Sequence, residues 1–369
     1  MFWYTPRGSA FIAGSVFERR SEVQVKRRSL ISLESAYAVT AGKFRGQTIL
    51  FVGSEGRGGA TLTFRGPDWT SSKIADGPGG NMAIIPMPHV SGTPRSLLII
   101  DGFFPIFQSE GAGASLYSAA PDSSEPWKRR RLFDLPFLHR MDLVFPAGKP
   151  TIIAAALCGK KDFRDDWSSA GAVYAVEIRN DGSQCEVGKP ILGGMTKNHG
   201  MFLQRKKDRE EVFVSGEEGV FSILVPKVGE EWRPEKILDI ATGDVVLHDL
   251  DGDGQEEILA IQPFHGDTAC VYKKAGREWR PVWRAPLDFG HVAWAGEIRG
   301  RKSIILGSRA GKRELSLYLL KDPSRWEFDR IILDEGKGAA NIAVVNEADR
   351  DLVFASNVAV GEVALYEVG

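Results

Sequence analysis

Short apolar runs separated by polar turns fill most of the chain, and they recur in a fixed order. The clearest unit reads Asp244-Val-Val-Leu-His-Asp, Glu257-Ile-Leu-Ala-Ile, Thr268-Ala-Cys-Val-Tyr and Trp279-Arg-Pro-Val-Trp. Each run has the length and the content of β-branched and aromatic residues that is typical of a strand. Four short strands per unit, repeated along the chain, predict a β-propeller.

A tryptophan begins the fourth run of five units and marks the repeat. In four units it lies twelve residues before the start of the next unit, at Trp69, Trp127, Trp232 and Trp279. In the fifth unit Trp326 lies fifteen residues before that position. The equivalent starting positions are Ala36, Asn81, His139, His199, Asp244, His291 and Asn341. Their spacing predicts an all-β, seven-bladed propeller with four antiparallel strands per blade.

The last unit contains only three strands, at residues 341–345, 352–355 and 362–368. We expect its missing outer strand from residues 21–30, where polar and apolar side chains alternate. This closure would join the two ends of the chain and leave no unpaired inner edge. Residues 1–369 are therefore predicted to form a single propeller domain.

Composition narrows the partners and the location. The 369 residues include 47 basic and 48 acidic side chains, and a net charge of −1 argues against nucleic acid or an anionic membrane. No apolar run approaches the ~20 residues of a membrane span. Residues 1–14 lack a signal peptide's apolar core, and three cysteines make no disulfide framework. We expect a cytoplasmic protein, or a secreted one whose signal peptide is absent from this sequence; the oligomeric state stays open.

Propeller geometry places the seven equivalent positions around the mouth of the central channel, since each begins an inner strand. Three of the six histidines in the chain occupy these positions, namely His139, His199 and His291. Imidazole is the usual side chain for proton transfer near neutral pH and for metal binding. We therefore expect these histidines to be catalytic, as separate acid, base and hydrogen-bonding groups or as ligands of Zn²⁺ or another divalent metal. The alternative is that they only line a water-filled channel.

Further candidates lie on the same face of the predicted propeller. Tyr37 directly follows a ring position, and Arg309 lies in a loop between second and third strands. We expect both in catalysis. The long loop at 159–171 mixes cations with an aromatic ring, which suits acidic sugars, and long loops in compact domains tend to be functional. The predicted substrate-binding residues are Asn81, Arg140, Lys161, Arg164, Trp167, Asp244, His265 and Asn341.

A second cluster of polar residues follows the inner strand of the fifth unit. The loop Asp249-Leu-Asp-Gly-Asp-Gly-Gln-Glu-Glu places oxygen ligands at alternate positions, as Ca²⁺ prefers. It resembles the start of an EF-hand loop but lacks the glutamate at position 12 and the flanking helices. We expect a structural Ca²⁺ ion on the face away from the histidines, or else a metal-free turn. The predicted ligands are Asp249, Asp251, Asp253, Gln255 and Glu257.

The segment His248-Asp-Leu-Asp-Gly-Asp-Gly-Gln-Glu-Glu-Ile resembles the FG-GAP or VCBS repeat of calcium-binding propellers, and residues 290–298 look like a degenerate copy. The histidines on the inner strands are similar to those of carbohydrate-active propellers, namely aldos-2-ulose dehydratases and seven-bladed polysaccharide lyases or rhamnosidases. This resemblance implies an oligo- or polysaccharide partner. The integrin-type version of the repeat binds proteins instead.

Elimination beside a carboxylate or carbonyl needs a base, a stabiliser of the enolate and an acid for the leaving oxygen. The predicted face supplies all three, with His199 or His139 as base or acid. We therefore expect a carbohydrate lyase or dehydratase acting on an acidic or keto sugar. One alternative is a glycoside hydrolase, whose carboxylate pair would come from Asp244, Glu217, Asp165 or Asp166. The other is a non-catalytic propeller that binds carbohydrate or protein.

Overall fold

The computed structural model describes residues 23–88, 95–119, 126–179 and 183–369. Within these ranges, 28 strands form seven sheets, and each sheet contains four antiparallel strands. The helical segments of the described residues are two short 3₁₀ turns, Pro146–Gly148 and Val358–Val360. The predicted all-β propeller with seven four-stranded blades is confirmed. None of the helical segments in these ranges has the length and apolar character that a membrane span requires.

The strands follow the chain from the axis outwards in each blade. Strand β1 is Val25–Ser32 and belongs to the last blade. The first three blades comprise β2 Ala36–Phe44, β3 Gln47–Ser54, β4 Thr61–Arg65 and β5 Thr70–Ala75; β6 Ile84–Pro86, β7 Ser96–Asp101, β8 Gly113–Ser118 and β9 Lys128–Asp134; and β10 Leu138–Val144, β11 Thr151–Ala156, β12 Gly171–Glu177 and β13 Leu192–Met195.

The remaining blades keep the same order. They comprise β14 Gly200–Arg205, β15 Glu210–Gly216, β16 Gly219–Leu224 and β17 Arg233–Leu238; β18 Asp244–His248, β19 Glu257–Gln262, β20 Thr268–Ala275 and β21 Glu278–Pro286; β22 Gly290–Ile298, β23 Arg301–Ser308, β24 Leu315–Asp322 and β25 Glu327–Asp334; and β26 Ala339–Asn346, β27 Asp351–Asn357 and β28 Glu362–Val368. The inner strand β2 packs against the inner strand β26, so the ring of blades is closed.

The repeated tryptophan lies in the apolar core between two blades. Trp69 is 7% exposed and packs edge-on against Phe354 of the seventh blade, with 5.0 Å between ring centroids. The other four occupy the corresponding core between their own blade and the preceding one, at Trp127, Trp232, Trp279 and Trp326. Five of the seven blades therefore have one large side chain at the same place, which explains the period in the sequence.

The N-terminal strand closes the ring as predicted. Strand β1 pairs antiparallel with β28, from Val25 opposite Val368 to Ser32 opposite Glu362. Its observed bounds lie a few residues beyond the predicted 21–30, and residues 21 and 22 lie outside the described ranges. Arg27 of this strand binds Asp334 of the sixth blade at 2.6 Å and also binds Glu362 of the seventh. Strand β1 is therefore bound to side chains of both the sixth and the seventh blade.

Candidate active site

A one-residue bulge interrupts the inner strand in four blades, and in three of them the bulged side chain enters the central funnel. The pairing of inner and second strands shifts register around Tyr37, His139, His291 and Ala340. A bulge re-aims a side chain because it leaves one residue outside the ladder. The predicted equivalent positions in the first and seventh blades, Ala36 and Asn341, are therefore displaced by one residue. Asp244 in the fifth blade is also displaced by one residue, since Gly243 corresponds to His199. The correction puts Tyr37 in the same ring as the histidines.

Two histidines of the ring are held by the carbonyl group at the corresponding position of the next blade. His199 Nδ1 lies 2.9 Å from the Gly243 oxygen, and His291 Nδ1 lies 2.6 Å from the Ala340 oxygen. A carbonyl oxygen only accepts, so Nδ1 carries the proton in both rings. This fixes the tautomer and leaves each Nε2 with a lone pair, the arrangement typical of metal-binding or basic histidines.

The third ring histidine departs from this pattern because an arginine takes its expected partner. Arg140 Nε donates to the carbonyl oxygen of His199 at 3.1 Å. His139 Nδ1 has no hydrogen-bond partner among the described residues. Its Nε2 lies 3.4 Å from the Tyr37 hydroxyl, and the same hydroxyl lies 3.5 Å from His291 Nε2. Tyr37 is therefore placed between two imidazoles.

His265 reaches the same place from the loop between β19 and β20. Its ring stacks on that of His291, with centroids 5.1 Å apart, and lies edge-on to His199 at 5.0 Å. The backbone of His265 is left-handed, with φ of 49°, as is that of Phe289 at 57° and Phe107 at 65°. Non-glycine residues adopt this conformation at a cost, and such strain clusters at functional sites.

These side chains line one cavity of about 260 Å³ at the mouth of the funnel. Apolar groups form much of its wall, including Phe103, Phe107 and Phe289. Among the residues predicted for the site, those that line the cavity are Tyr37, His139, Arg164, His199, His265, His291 and Arg309. The structure therefore brings together the predicted catalytic set, with His265 and Arg164 beside it.

Burial keeps the four imidazoles neutral. It lowers the pKa of His139, His199 and His291 well below the ordinary histidine value, and the charge of Arg140 acts in the same direction. Burial and the charge of Arg309 lower the pKa of His265 to about 3. Neutral imidazoles offer lone pairs, so at neutral pH these groups are available to accept a proton or to bind a metal, and they carry no positive charge.

Two acidic groups in the lining, Tyr37 and Glu55, have raised pKa values. Burial raises the pKa of Tyr37 above that of free tyrosine, so its hydroxyl keeps its proton. Burial also raises the pKa of Glu55 to about 7, although the positive charge of Arg309 opposes the shift. Glu55 was missed by the sequence analysis. The sequence indicates only that Glu55 lies in the loop between the second and third strands of the first blade, on the same face as the histidines. Many other charged residues lie in loops on that face.

Several predicted substrate-binding residues do not line the cavity. Asn81 is fully buried and accepts a hydrogen bond from Thr61. Asn341 Nδ2 donates to the Tyr37 carbonyl oxygen at 3.0 Å, which fixes the backbone of Tyr37. Asp244 accepts from the backbone of Val245, and desolvation in the channel raises its pKa to about 6.

The long loop at 159–171 folds on itself. Lys161 Nζ donates to the Arg164 carbonyl oxygen at 2.7 Å and lies 3.3 Å from the ring centroid of Trp167. Trp167 in turn packs edge-on against Phe107 and Phe264, with centroids 5.6 and 5.7 Å away. Lys161 and Trp167 therefore brace the aromatic wall, while Arg164 reaches the cavity itself.

The donor set of the cavity fits a divalent metal. Donor atoms of His199, His265 and His291 lie within 4.8 Å of one another. The Nε2 atoms of His199 and His265 have no hydrogen-bond partner among the described residues, although both are buried. Buried polar atoms of this kind normally have a partner, and a metal ion with an open position would provide one. His139 belongs to the same cavity but not to this group of three.

The predicted calcium loop lies away from this cavity. It connects β18 to β19, and these strands meet the funnel at their opposite ends, near Asp244 and Gln262. Asp249, Asp251 and Glu257 offer oxygen atoms within 4.8 Å of one another. Lys273 of the neighbouring strand β20 binds two of these carboxylates, those of Asp251 and Glu257. The loop therefore contains both the expected ligands and a cation from the chain itself.

Comparison with known proteins supports the fold. No family model matches the sequence, and no curated protein matches it. Among solved structures, the chain is similar to the β-propeller domain of Cps50 (Swd1) from Myceliophteria thermophila, with 12% identity and a TM-score of 0.59 over 93% of this chain and 100% of that one. It is also similar to a proposed 6-phosphogluconolactonase from Bacteroides uniformis, with 9% identity and a TM-score of 0.54 over 89% and 95%. Sqt1 from Saccharomyces cerevisiae gives 10% identity and 0.50 over 91% and 86%. At these identities the likeness shows a shared propeller fold.

Proposed function

We propose that this propeller is a carbohydrate-active enzyme that removes a leaving group from an acidic or keto sugar by β-elimination. The observation that carries the proposal is the place of the Tyr37 hydroxyl, 3.4 Å from His139 Nε2 and 3.5 Å from His291 Nε2. A retained phenol proton beside a neutral imidazole is an acid next to a base. Arg309 lies in the same lining and supplies positive charge for the substrate anion.

The cavity favours a substrate in which one sugar ring is enclosed at a time. Its volume of about 260 Å³ is small for a binding pocket. Aromatic side chains such as Phe107 and Phe289 offer surfaces for the C–H faces of a sugar, and Arg164 and Arg309 suit a carboxylate. The remaining units of an oligo- or polysaccharide would extend from the mouth across the face.

The proposed reaction needs two proton transfers. His139 accepts the proton from the carbon beside the carboxylate or carbonyl. The electron pair of that C–H bond forms the new C=C bond. The C–O bond to the leaving group breaks, and Tyr37 donates its hydroxyl proton to that oxygen. The contact between Tyr37 and His139 then returns the proton from the imidazolium to the phenolate. The cycle is balanced and requires no oxidant or reductant.

A divalent metal fits this scheme as a bound group. Zn²⁺ or a similar ion held by His199, His265 and His291 would polarise the substrate oxygen and stabilise negative charge on it. The backbone carbonyls of Gly243 and Ala340 orient two of these imidazoles so that their lone pairs face the cavity. Arg140 lies behind the ring and holds the His199 backbone in place.

The lining gives less support to a glycoside hydrolase. That reaction ordinarily uses two carboxyl groups on either side of the scissile bond. Glu55 is the carboxyl group in the lining of the cavity within the described residues, and it has no carboxylate partner there. Asp165 and Asp166, two of the predicted carboxylates for this role, lie in the loop at 159–171. Asp166 there accepts hydrogen bonds from the backbone amide and the hydroxyl of Ser168.

The proposal is tested by a screen of acidic oligosaccharides for the ultraviolet absorbance of a new C=C bond conjugated to a carboxylate. Tyr37→Phe and His139→Gln should each abolish most of the absorbance gain while leaving the melting temperature almost unchanged. His248→Gln is the matched control, since His248 lies at the far end of β18 and does not line the cavity. Sugar binding without turnover, unaffected by these variants, would contradict the proposal.

A further inference from the structure

In the acidic loop between β18 and β19, carboxylate oxygens accept hydrogen bonds from backbone amides of the same loop. Asp251 Oδ1 accepts from the Asp253 amide at 3.3 Å, and Asp253 Oδ1 accepts from the Gln255 amide at 2.8 Å. Glu257 Oε2 accepts from the Leu250 amide at 2.9 Å. Three carboxylates therefore each have one oxygen bound to the backbone and one oxygen left over.

Lys273 binds the oxygen that is left over on all three carboxylates. Its Nζ lies 2.7 Å from Asp253 Oδ2 and 3.3 Å from Glu257 Oε1, and it also binds Asp251 Oδ2. A lysine ammonium has three N–H donors, so these three bonds use its whole donor capacity. The ammonium is in this way the centre of a closed set of charge-assisted hydrogen bonds.

Asp249, the first acidic residue of the loop, accepts backbone hydrogen bonds through both of its carboxylate oxygens. Asp249 Oδ1 accepts from the Gly252 amide at 2.8 Å, and Asp249 Oδ2 accepts from the Gly254 amide at 3.2 Å. Both glycines have positive φ, at 79° and 88°, which allows the tight turn. The turn is thus formed by contacts within the chain.

We propose that Lys273 is the resident cation of this loop, and that its ammonium takes the place that Ca²⁺ occupies in the loops that this one resembles. A Ca²⁺ ion held by Asp249, Asp251 and Glu257, whose donor atoms lie within 4.8 Å of one another, would compete with the ammonium for Asp251 and Glu257. The two cations would also repel each other at such a short distance. The sequence motif thus resembles a calcium loop, but Lys273 of the third strand supplies positive charge to it without a metal.

Burial explains why some cation is needed at this point. The side chain of Glu257 is fully buried, and that of Asp251 is 12% exposed. Buried carboxylates are costly unless they are paired with positive charge and hydrogen-bonded. Lys273 comes from the same blade, and its Nζ lies 6.0 Å from the ring centroid of Trp326.

The proposal makes a prediction about the variant that lacks the ammonium. Lys273→Met keeps the length of the side chain but frees three carboxylate oxygens that already face one point. This variant should gain a Ca²⁺ site, and millimolar Ca²⁺ should raise its melting temperature, because an ion that binds only the folded state stabilises it. Adding Asp251→Asn to the variant should remove that gain. Lys274→Met, at the exposed neighbouring position, is the matched control and should not respond to Ca²⁺.

The experiment measures melting temperatures in chelator and in millimolar Ca²⁺, together with Tb³⁺ luminescence excited through Trp326. The wild type should melt at the same temperature in both conditions and show no Tb³⁺ signal, whereas Lys273→Met should respond in both assays. A variant that folds only when Ca²⁺ is present would also support the proposal. It is overturned if Ca²⁺ stabilises the wild type in a manner that Asp251→Asn removes, or if folded Lys273→Met ignores Ca²⁺.

Discussion

His291 donates from Nδ1 to the carbonyl oxygen of Ala340, 2.6 Å away in the next blade. Both residues occupy the bulge at the start of their inner strands. The contact therefore joins corresponding points of neighbouring blades, and it turns Nε2 of His291 towards the cavity. His199 makes the corresponding contact with the carbonyl oxygen of Gly243 without a bulge in either strand, so both histidines present Nε2 to the cavity.

The Tyr37 hydroxyl should matter for turnover and little for stability. Tyr37→Phe removes the proposed acid but keeps the ring that packs against His291, at 5.7 Å between centroids. Loss of a general acid typically lowers kcat about 10²–10⁴-fold. We expect that loss with KM nearly unchanged, and less than about 1 kcal/mol of change in the free energy of unfolding. Steady-state kinetics and urea unfolding check both parts; a variant with full kcat would remove Tyr37 from the mechanism.

Acid should destabilise the fold through the buried histidines. The pKa of His265 is lowered to about 3 by burial, so between pH 6.5 and pH 3 the unfolded chain binds a proton that the folded chain does not. Stability therefore falls as pH decreases through this window, by up to about 1.4 kcal/mol per pH unit for one such group. His265→Gln should flatten the pH dependence of unfolding. The measurement is made with a chelator present, and an unchanged slope would contradict the assignment.

Glu55 should have the opposite effect. Its pKa is raised to about 7, so between about pH 4.5 and 7 the folded state binds a proton that the unfolded state has lost. Stability contributed by the neutral carboxyl is therefore lost as pH rises through this range. Glu55→Gln should be more stable than the wild type at pH 8, by at most about 3 kcal/mol, and similar to it at pH 4. Paired urea titrations at the two pH values provide the test.

The closure of the ring should depend on Arg27. Its guanidinium binds Asp334 of the sixth blade and Glu362 of the seventh, whose side chains are 11% and 15% exposed. Arg27→Met should leave two largely buried carboxylates without their partner and lower the free energy of unfolding by about 2 kcal/mol. Lys26→Met, on the exposed face of the same strand, should change it by less than about 0.5 kcal/mol. Equal effects of the two variants would count against this closure contact.

The fold was predictable because neighbouring blades pack against each other through a similar apolar core around the ring. Trp69 and its four counterparts fill the same inter-blade core, so their spacing records the blade length. The N-terminal strand followed from the same logic, since the last unit had one strand too few. The boundaries shifted by a few residues, as at β1, because strand ends depend on pairing rather than on composition.

The site was predictable only in part. The repeat positions identify His139, His199 and His291. A bulge, however, adds one residue without changing the apolar pattern. The repeat therefore predicts Ala36 as the ring residue of the first blade, whereas the structure has Tyr37 there. The roles of Lys161 and Trp167 depended on how their loop folds, which the sequence pattern does not determine. Glu55 has no motif at all, and only the fold brings it to the cavity.

The most direct test of the central claim follows the oxygen atoms of the reaction. An acidic oligosaccharide that is turned over is incubated with the enzyme in water enriched in oxygen-18, and the products are analysed by mass spectrometry. Elimination by His139 and Tyr37 breaks the C–O bond without adding water, so we expect an unsaturated product and no heavy oxygen beyond the amount that purified product gains by exchange at its carbonyl carbon in the same water. A saturated product with oxygen-18 in a newly formed hydroxyl, in excess of that exchange, would mean hydrolysis and would contradict the proposed mechanism.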